Sequence, residues 1–425
     1  MITPESIPPK RPDNYRIVHS ADWHLGKQLN DRTRDDEHEL FLRWLLQLVQ
    51  DHAVDAILVS GDIFDTANPS NSALQRYYDF IATLAQQQHC AVALIAGNHD
   101  SAAQLEAPRQ ALRALNVHVC GYLESQPAAR ILLLPHQRDP KIAIAMVPFL
   151  RERDLRLGSP GESPAEIRTQ LVSGLELVYR QTAAAASQLR SACPTIATGH
   201  LTVLGATPSD SERDIHIGGL GAVTPEIFAD LFDYVALGHL HRPQSFGRAG
   251  HVCYAGSPIA LSFSEARDEK QVRLLDVTGR KIECHTVSVP RFRALHQLRT
   301  TARELKTAIE RFDPGSAALP AWLEVTISGA ADAADLNEQV LQLTAERSYE
   351  VLRVVRDRSI SETPTAAVPL SEDEAIEALI DDPASVFQQL LDRRSDLQPQ
   401  EVDQLRAAFA ELLELQQQAQ DTLDQ

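Results

Sequence analysis

The sequence predicts an α/β fold in which parallel strands alternate with helices. Six segments have the length and apolar character of buried strands, at residues 16–20, 56–60, 91–96, 141–147, 195–198 and 234–237. Amphipathic helices are predicted at residues 37–49, 72–87 and 167–188. Strands and helices that alternate at this spacing form parallel sheets with right-handed crossovers. Residues 251–289 are expected to close the domain as a strand-rich segment.

Local signals support the first of these elements in turn. The helix at 37–49 has an apolar face that recurs at helical spacing, formed by Leu40, Phe41, Trp44, Leu45 and Leu48. The strands at 56–60 and 91–96 are apolar runs that end at Gly61 and Gly97. Near residue 290 the composition changes, and residues 291–360 predict a small α+β module. Its elements are a helix at 302–312, a strand at 322–327, a helix at 334–345 and a strand at 349–355.

Composition and charge limit the class of protein. The chain has 425 residues, 44% hydrophobic and 23% charged, which predicts a globular protein of two or three domains. The net charge is −18, but residues 361–425 carry 15 acidic and 3 basic residues and so account for −12 of it. The remaining body is nearly neutral. These values exclude a globally basic coat protein, but they do not exclude DNA binding by the body.

The chain is expected to act in the cytoplasm. Residues 1–14 contain four prolines and no apolar core of a secretory signal, so we expect a disordered leader. No run of 18 apolar residues predicts a transmembrane helix, and we expect no membrane partner. The five cysteines have no zinc-site or redox-motif spacing, and we expect them to be buried free thiols.

Polar motifs follow five of the predicted strands directly. Their residues are Asp22 and His24, then Asp62, then Asn98, His99 and Asp100, then His200, and finally His239 and His241. Ligands of open α/β sheets bind outside the carboxyl ends of the strands. Each motif alone is a weak signal, because a single histidine or Gly-Asp pair is usually structural. Together and in this order they predict one polar site at one edge of the fold.

The residue types at this edge predict two metal ions. Asp-x-His and His-x-His place two side chains on one side of an extended segment, and a central Asp62 could bridge two ions. Asn98 would add a neutral oxygen. Mixed carboxylate, amide and imidazole ligands suit manganese, iron or zinc better than calcium. Two ions about 3.5–4 Å apart clamp the attacking and leaving oxygens of a phosphoryl transfer and acidify a water toward a pKa of about 7.

The ordered set of motifs resembles the calcineurin-like metallophosphoesterase superfamily. Residues Ala21–Gly26 and Gly61–Thr66 are similar to the double-strand-break repair nuclease branch. The later segments Ile196–Leu201, Ala236–Arg242 and Gly256–Phe263 are similar to the family of nuclease D subunits of bacterial SbcCD complexes. The resemblance covers roughly residues 15–420. It implies a metallophosphoesterase sandwich of two central sheets flanked by helices, with a small α+β capping domain and C-terminal helices.

The resemblance also implies roles for the site residues. One ion would be held by Asp22, His24, Asp62 and His241, and the other by Asp62, Asn98, His200 and His239. Manganese is the expected metal. His99 would act on the scissile phosphate or its leaving oxygen. Asp100 could orient the His99 imidazole, or it could cap the following helix. Any role of Asp65 stays open.

The domain organisation follows from these assignments. We expect a nuclease domain at 15–290, a DNA-binding capping domain at 291–360, a linker at 361–370 and short acidic amphipathic helices at 371–425. These helices could pack on their own body or fill a groove of a partner. The resemblance implies the second: docking on the coiled-coil ATPase subunit SbcC, in a heterotetramer of two nuclease and two ATPase chains. The nuclease chain itself has no P-loop.

The predicted function is metal-dependent DNA cleavage in DNA repair, recombination and replication. The expected activities are exonuclease action on double-stranded ends and endonuclease action on single-stranded and hairpin DNA. Two alternatives are a phosphodiesterase or phosphatase with another substrate, and a DNA-end tether without catalysis. Four arginines flank the motif loops and could contact DNA phosphates or form surface ion pairs: Arg34, Arg151, Arg153 and Arg213.

Overall fold

The structure is a computed structural model. It describes residues 7–87, 90–158, 162–189, 193–209, 211–212, 222–247, 250–328, 334–357 and 409. The chain divides into two compact units, residues 1–360 and 361–425. In the second unit the structure describes Phe409, a helical residue, so the linker and the C-terminal helices predicted there otherwise lie outside the described residues.

The first unit contains strands and helices in alternation. The strands are β1 (Tyr15–Ser20), β2 (Gln28–Leu29), β3 (Arg32–Thr33), β4 (Ala56–Ser60), β5 (Ala91–Ile95), β6 (Val117–Cys120), β7 (Ile131–Leu134), β8 (Ile142–Ala145), β9 (Thr195–His200), β10 (Tyr234–Gly238), β11 (Gln244–Phe246), β12 (Val252–Tyr254), β13 (Gln271–Thr278), β14 (Lys281–Ser288), β15 (Arg293–Thr301), β16 (Leu319–Ser328) and β17 (Tyr349–Asp357). The helices are α1 (Asp35–Asp51), α2 (Asn71–Gln86), α3 (Ala102–Glu106), α4 (Arg109–Ala114), α5 (Glu152–Leu155), α6 (Pro164–Leu189), α7 (Leu305–Arg311) and α8 (Ala334–Thr344).

Two six-stranded sheets form the body of this unit. One has the order β14-β13-β1-β4-β5-β6 and the other the order β11-β12-β10-β9-β8-β7. The neighbours β1, β4, β5 and β6 are parallel, as are β8, β9, β10 and β12. The predicted parallel α/β architecture is therefore confirmed, and so is the division into two central sheets.

The two sheets pack face to face because their strands are apolar on both sides. Ile17, Leu58 and Ala93 of the first sheet share one buried cluster with Ile144 and Ile196 of the second. The alternate side chains point outward, and α1 and α2 cover those of the first sheet. Helix α6 covers the second sheet in the same way. Strands buried on both faces are typical of helix-covered parallel sheets.

A separate three-stranded sheet, here called the cap sheet, has the order β15-β16-β17 with all strands parallel. Helices α7 and α8 pack on one face, where Leu305 and Val340 share a buried cluster with Leu323 and Val325. The other face meets the body of the unit through Trp322 of β16. The α+β elements predicted at 291–360 are observed, with one more strand, β15, than the sequence pattern indicated. Their assignment as a separate capping domain stays a prediction.

The N-terminal segment differs from the expected disordered leader. Residues 1–6 lie outside the described residues, but residues 7–14 are described and contact the body. Lys10 Nζ donates to Ala53 O at 2.8 Å and pairs with Asp55 at 2.6 Å. Pro8 O accepts from Arg16 at 2.9 Å. The reason is that this polar segment supplies partners to charged groups at the start of β1 and directly before β4, two interior strands of the first sheet.

Two further expectations concern thiols and membranes. Four of the cysteines are buried as expected, whereas Cys284 is exposed, since β14 is an edge strand of its sheet. None of the helices in the described part of the chain combines the length and the apolar character needed to cross a bilayer.

Candidate metal centre

Main-chain hydrogen bonds bring the loops after the strands together. The Asp22 and His24 amides donate to the Gly61 and Asp62 carbonyls, each at 3.0 Å, so the loops after β1 and β4 run side by side. The loop after β10 joins them, because the His239 amide donates to Asp22 Oδ1 at 2.8 Å. The two sheets therefore meet at one polar edge, where the sequence predicted the site.

Several ligand candidates have left-handed backbone conformations. The φ angles are 53° at Asp22, 47° at His24, 49° at Asp62 and 98° at His239. Residues other than glycine rarely adopt this backbone region, because it costs on the order of 1–3 kcal/mol per residue. Strain of this kind persists where surrounding contacts enforce it, and it concentrates at functional sites. Here it turns alternate side chains of these loops toward a common centre.

The carboxylate of Asp62 occupies that centre. Its Oδ2 lies 3.5 Å from His24 Nε2 and 3.3 Å from His200 Nε2. Its Oδ1 accepts the His99 amide at 2.9 Å. Asn98 completes this side, with its Oδ1 2.8 Å from His200 Nε2. Asp62 thus faces both groups of candidate ligands, as a bridging carboxylate must.

The imidazoles are oriented by groups behind them. Their Nδ1 atoms contact oxygen acceptors outside the centre: Ser60 O for His200 at 2.9 Å, Asp65 Oδ1 for His24 at 3.1 Å and Glu265 Oε1 for His241 at 3.2 Å. A carbonyl or carboxylate can only accept, so Nδ1 carries the proton in each case. This leaves Nε2 as the inward-facing ligand atom, the arrangement found behind metal-binding histidines.

Two buried polar atoms at the centre have no hydrogen-bond partner within the described residues. They are Asp22 Oδ2 and His24 Nε2. An unpaired buried polar atom is costly, and native proteins retain few of them. Among the described residues, three sets of potential ligand atoms lie within 4.8 Å of one another: Asp22 with His24 and His241, Asp22 with Asp62 and His200, and His24 with Asp65 and His99. The orphaned atoms and the mixed donor set fit divalent cations.

The electrostatics of the site indicate excess negative charge without a cation. Burial raises the pKa of Asp22, and the neighbouring Asp62 carboxylate raises it further. Burial opposes ionisation of Asp62 too, but His200 and His24 hold its pKa well below the usual range. Against burial, the same Asp62 charge raises the pKa of His200 to about 9. The Asp62 carboxylate therefore stabilises a positive charge placed beside it.

Comparisons with known proteins show the family to which the chain belongs. Residues 15–243 match the calcineurin-like phosphoesterase family, and residues 291–395 match the family described as type 5 capsule protein repressor C-terminal domain. The chain is 36% identical to the D subunit of nuclease SbcCD from Escherichia coli K12, with 95% of both chains covered. It belongs to the family of SbcCD nuclease D subunits, within the calcineurin-like phosphoesterases.

Other relatives give the same family. The SbcCD nuclease D subunit of Rhodobacter capsulatus is 37% identical over 86% of this chain and 85% of its own. The Bacillus subtilis protein of the same name is 35% identical over 61% and 66%. Similar solved structures include a dimetal phosphatase from Danio rerio, with a TM-score of 0.37 and 13% identity over 65% of this chain and 99% of that one.

Asp100 of this SbcCD family member holds two loops together. Its carboxylate accepts main-chain N–H groups of Ile63 at 3.1 Å, Phe64 at 2.9 Å and Gly97 at 2.8 Å. Burial, followed by the Asp62 charge, raises its pKa to about 7. The alternative that Asp100 caps the next helix is wrong, because the Ser101 side chain caps α3. That Asp100 orients the His99 imidazole stays a prediction.

His99 lies beside the predicted ligands with its imidazole held from outside. Its Nδ1 lies 2.6 Å from the main-chain oxygen of Asp65, so Nδ1 carries the proton and donates it. The ring centroid is 4.7 Å from that of His24. His99 is 6% exposed, so it stands at the buried wall of the site.

Sequence reasoning left open or missed the groups behind the ligands. Asp65 contacts His24 Nδ1 and Lys27 Nζ, both at 3.1 Å, and these partners hold the pKa of Asp65 below its usual range. Glu212 accepts the His241 amide at 2.6 Å, and Glu265 contacts its ring. The only available signal was their position close to the recognised motifs.

The four candidate arginines have different environments. Arg34 is 1% exposed and pairs with Glu37 at 2.7 Å, so the expected surface position is wrong for this residue. It is buried because it lies directly before α1, where Trp322 of the cap sheet packs near its guanidinium. Arg151 and Arg153 are exposed. Arg213 lies outside the described residues.

Proposed function

We propose that this chain is the metal-dependent nuclease subunit of an SbcCD-type complex and hydrolyses phosphodiester bonds at DNA ends and hairpins. The observation that carries the proposal is the central Asp62 carboxylate, which faces His24 and His200 beside the orphaned oxygen of Asp22. Family membership supports it, since the relatives are named nucleases. The complete set of candidate ligands argues against a tether without catalysis.

Two divalent ions are assigned to this centre. One would be held by Asp22, His24, Asp62 and His241, and the other by Asp62, Asn98, His200 and His239. We propose manganese, the metal that the family resemblance implies; the carboxylate, amide and imidazole donors suit manganese, iron or zinc better than calcium. When bound, the ions neutralise charge on the phosphate and acidify the attacking water.

The chain's own residues then position and protonate the reacting groups. The Nδ1 proton of His99 is donated to the Asp65 carbonyl, so Nε2 is the atom left to face the scissile phosphate. In this proposal His99 acts as the imidazolium, which carries a second proton on Nε2. It donates that proton to a phosphate oxygen or transfers it to the leaving oxygen and becomes neutral imidazole. Asp100 keeps the loops that carry Asp62 and His99 at a fixed separation. The walls formed by these buried side chains exclude water and strengthen each charge interaction.

The rest of the chain supplies DNA and partner contacts in this proposal. The cap sheet, in the domain predicted at 291–360, would shape the DNA-binding face, and the exposed Arg151 and Arg153 would contact phosphates. Residues 371–425 would dock on the coiled-coil ATPase subunit, in an assembly of two nuclease and two ATPase chains. We assign the activity to the cytoplasm, at the DNA of the nucleoid.

The test is cleavage of a labelled hairpin-ended DNA duplex with manganese, with and without the ATPase subunit. Wild type is compared with Asp62→Ala and His99→Ala, and His118→Ala, a partly buried histidine on β6, serves as the control. We expect cleavage that requires manganese, persists in the control and is lost in both site variants.

A second substrate separates the proposed function from its nearest alternative. Bis-p-nitrophenyl phosphate reports a working site without DNA recognition. Hydrolysis of this ester, with no DNA cleavage even when the ATPase subunit is present, would contradict the nuclease proposal and favour a small-molecule phosphodiesterase. Unchanged DNA cleavage by Asp62→Ala would contradict the metal centre itself.

A further inference from the structure

The strongest unassigned cluster lies behind the candidate ligand His241, around the completely buried carboxylate of Glu265. Its Oε1 contacts His241 Nδ1 at 3.2 Å, Ser209 Oγ at 3.1 Å and Ser211 Oγ. Its Oε2 accepts from Lys270 Nζ at 2.5 Å, Leu261 N at 3.1 Å and Ser257 Oγ at 3.4 Å. A carboxylate offers about four lone-pair sites, so its capacity is fully used.

The Lys270 side chain binds the main chain of the same histidine. Its Nζ donates to the His241 carbonyl at 3.1 Å as well as to Glu265. The ion pair of Glu265 and Lys270 thus fixes both the backbone and the imidazole of His241. Ser211 Oγ lies 2.6 Å from the same Nδ1 and also contacts Glu265, which closes the network.

The turn that carries Glu265 also contacts the cap sheet. The short 3₁₀ turn Phe263–Glu265 precedes Ala266, and here residues 262–266 are called the anchor turn. Phe263 and Ala266 form one buried cluster with Leu295 of β15 and Trp322 of β16. A single turn therefore touches the cap sheet on one side and a candidate metal ligand on the other.

We propose that Glu265 is a positioning residue for His241 and that the anchor turn links the docking of the cap sheet to metal affinity at the His241 position. This inference rests on the proposed metal centre. A carboxylate behind a metal-binding imidazole fixes its tautomer and raises its basicity, and losing such a partner typically weakens metal binding by about 10- to 100-fold. An ion pair that only stabilised the fold would not affect one metal position selectively.

The first experiment measures manganese binding by the full chain, from the electron paramagnetic resonance signal of free Mn²⁺. We expect two ions bound to wild type and, in Glu265→Gln, one of them weakened roughly 10- to 100-fold. The matched control is Asp276→Asn, on β13. It removes another buried carboxylate, which pairs with Arg16 at 2.7 Å. It should destabilise the chain and leave both affinities unchanged.

A second variant covers the case in which Glu265→Gln does not fold. Ser211→Ala removes the hydroxyl shared by His241 and Glu265 and leaves the buried ion pair intact. We expect it to weaken the same ion by a smaller factor. Wild-type affinity for both ions in Glu265→Gln, or in Ser211→Ala when the first variant is unfolded, would overturn the positioning role.

The link to the cap sheet is tested by Trp322→Ala against Val340→Ala. Both change buried residues of the capping domain, but Val340 belongs to the cluster on the α7–α8 face and not to the one that contains the anchor turn. We expect Trp322→Ala to weaken the ion that Glu265→Gln weakens, and Val340→Ala to leave it unchanged. Equal effects of the two variants would overturn the link.

The outcome for wild type separates this inference from the proposed function. If wild type bound no manganese, the metal centre and the inference would both be overturned. If wild type and Glu265→Gln bound two ions equally tightly, the inference alone would be overturned. DNA cleavage is not needed for either result.

Discussion

Two glycines allow the loops of the metal centre to approach one another. A Cβ atom on Gly97 would lie 2.1 Å from Asp62 Oδ1, and one on Gly238 would lie 1.9 Å from Ser60 O. Neither obstacle can move without displacing a predicted ligand, because Asp62 is the central carboxylate and Ser60 O accepts from His200. These glycines are required by close packing at the site and not by the turn conformation alone.

We therefore predict that Gly238→Ala separates the ends of β4 and β10 and abolishes manganese binding. The expected loss of stability is about 1–3 kcal/mol, the usual cost of overpacking. Urea unfolding and a manganese titration measure the two effects. Gly158→Ala is the matched control, because its nearest neighbours are side-chain atoms of Arg156 at 3.8 Å. Normal manganese binding by Gly238→Ala would show that the strand ends can move apart without disturbing the ligands.

Asp100 gives a second prediction of this kind. Asp100→Asn replaces one acceptor oxygen by a donor, which then faces a main-chain N–H group. We expect a loss of about 1–3 kcal/mol of stability, the penalty for an unsatisfied buried group, together with weaker metal binding. The neighbouring Ser101→Ala removes only the cap of α3 and should cost about 1 kcal/mol without affecting metal binding. Equal effects of the two variants on metal binding would contradict the loop-holding role.

The sequence identified the candidate ligands but not the groups behind them. Asp22, His24 and Asp62 follow strands in recognisable spacing, so their meeting point follows from the topology. Glu265 contacts His241 from a turn 24 residues away. Asp100 acts on main-chain amides across two loops. Such contacts depend on loop conformation, which residue types and spacing do not specify.

The junction between α1 and the cap sheet has a buried charge cluster. Glu37 pairs with Arg34 at 2.7 Å and with Arg293 of β15 at 3.2 Å. The guanidinium of Arg293 lies 4.1 Å from the centroid of Trp322, and that of Arg34 lies 5.4 Å from it. One carboxylate and one indole ring thus compensate two buried cations.

Removing the Glu37 carboxylate should weaken the packing of the cap sheet against α1. We predict that Glu37→Ala costs about 3–5 kcal/mol, because it leaves two buried guanidinium groups without their anion. Glu39→Ala, on the same helix, is the control, since Glu39 forms an exposed pair with Arg43 and such pairs contribute about 0.5 kcal/mol. Chemical denaturation gives both values, and a loss below about 1 kcal/mol for Glu37→Ala would show that water reaches the junction.

Helices and strands were predictable where buried positions give the sequence a regular spacing of apolar residues. Helix α1 extends the predicted span by two residues at each end, and β4 matches its prediction at both ends. Strand β15 was missed because its sequence, from Arg293 to Thr301, is mostly polar and only Ala294 and Leu295 are buried. A strand at the edge of a small sheet needs few apolar residues, so its pattern resembles that of a loop.

The pairing of two sheets required information beyond the strand pattern. Strands such as β1 and β4 are buried on both faces, and a single helix-covered sheet would give the same apolar runs. The resemblance to a known family implied the sandwich, and the structure explains it. Side chains such as Ile17 and Leu58 face the other sheet, while Val18 and Ile57 face the helices.

The unpaired groups between the two sheets predict that metal stabilises the whole unit. Manganese at a hundredfold excess over its Kd should add about 2.7 kcal/mol per ion, because it binds the folded chain only. We expect a higher Tm with manganese than with EDTA. Asp22→Asn should reduce that increase, since Asp22 belongs to two of the three sets of clustered ligand atoms.

The same variant should raise the Tm of the metal-free chain. It removes one of two buried carboxylates that repel each other, and the asparagine oxygen can still accept the His239 amide. Asp139→Asn, at an exposed carboxylate, is expected to leave both Tm values unchanged. Scanning calorimetry in EDTA and in manganese measures these shifts. A lower Tm of Asp22→Asn in EDTA would mean that the Asp22 carboxylate stabilises the metal-free site. Repulsion between the Asp22 and Asp62 carboxylates would then not explain why a cation between the two sheets stabilises them.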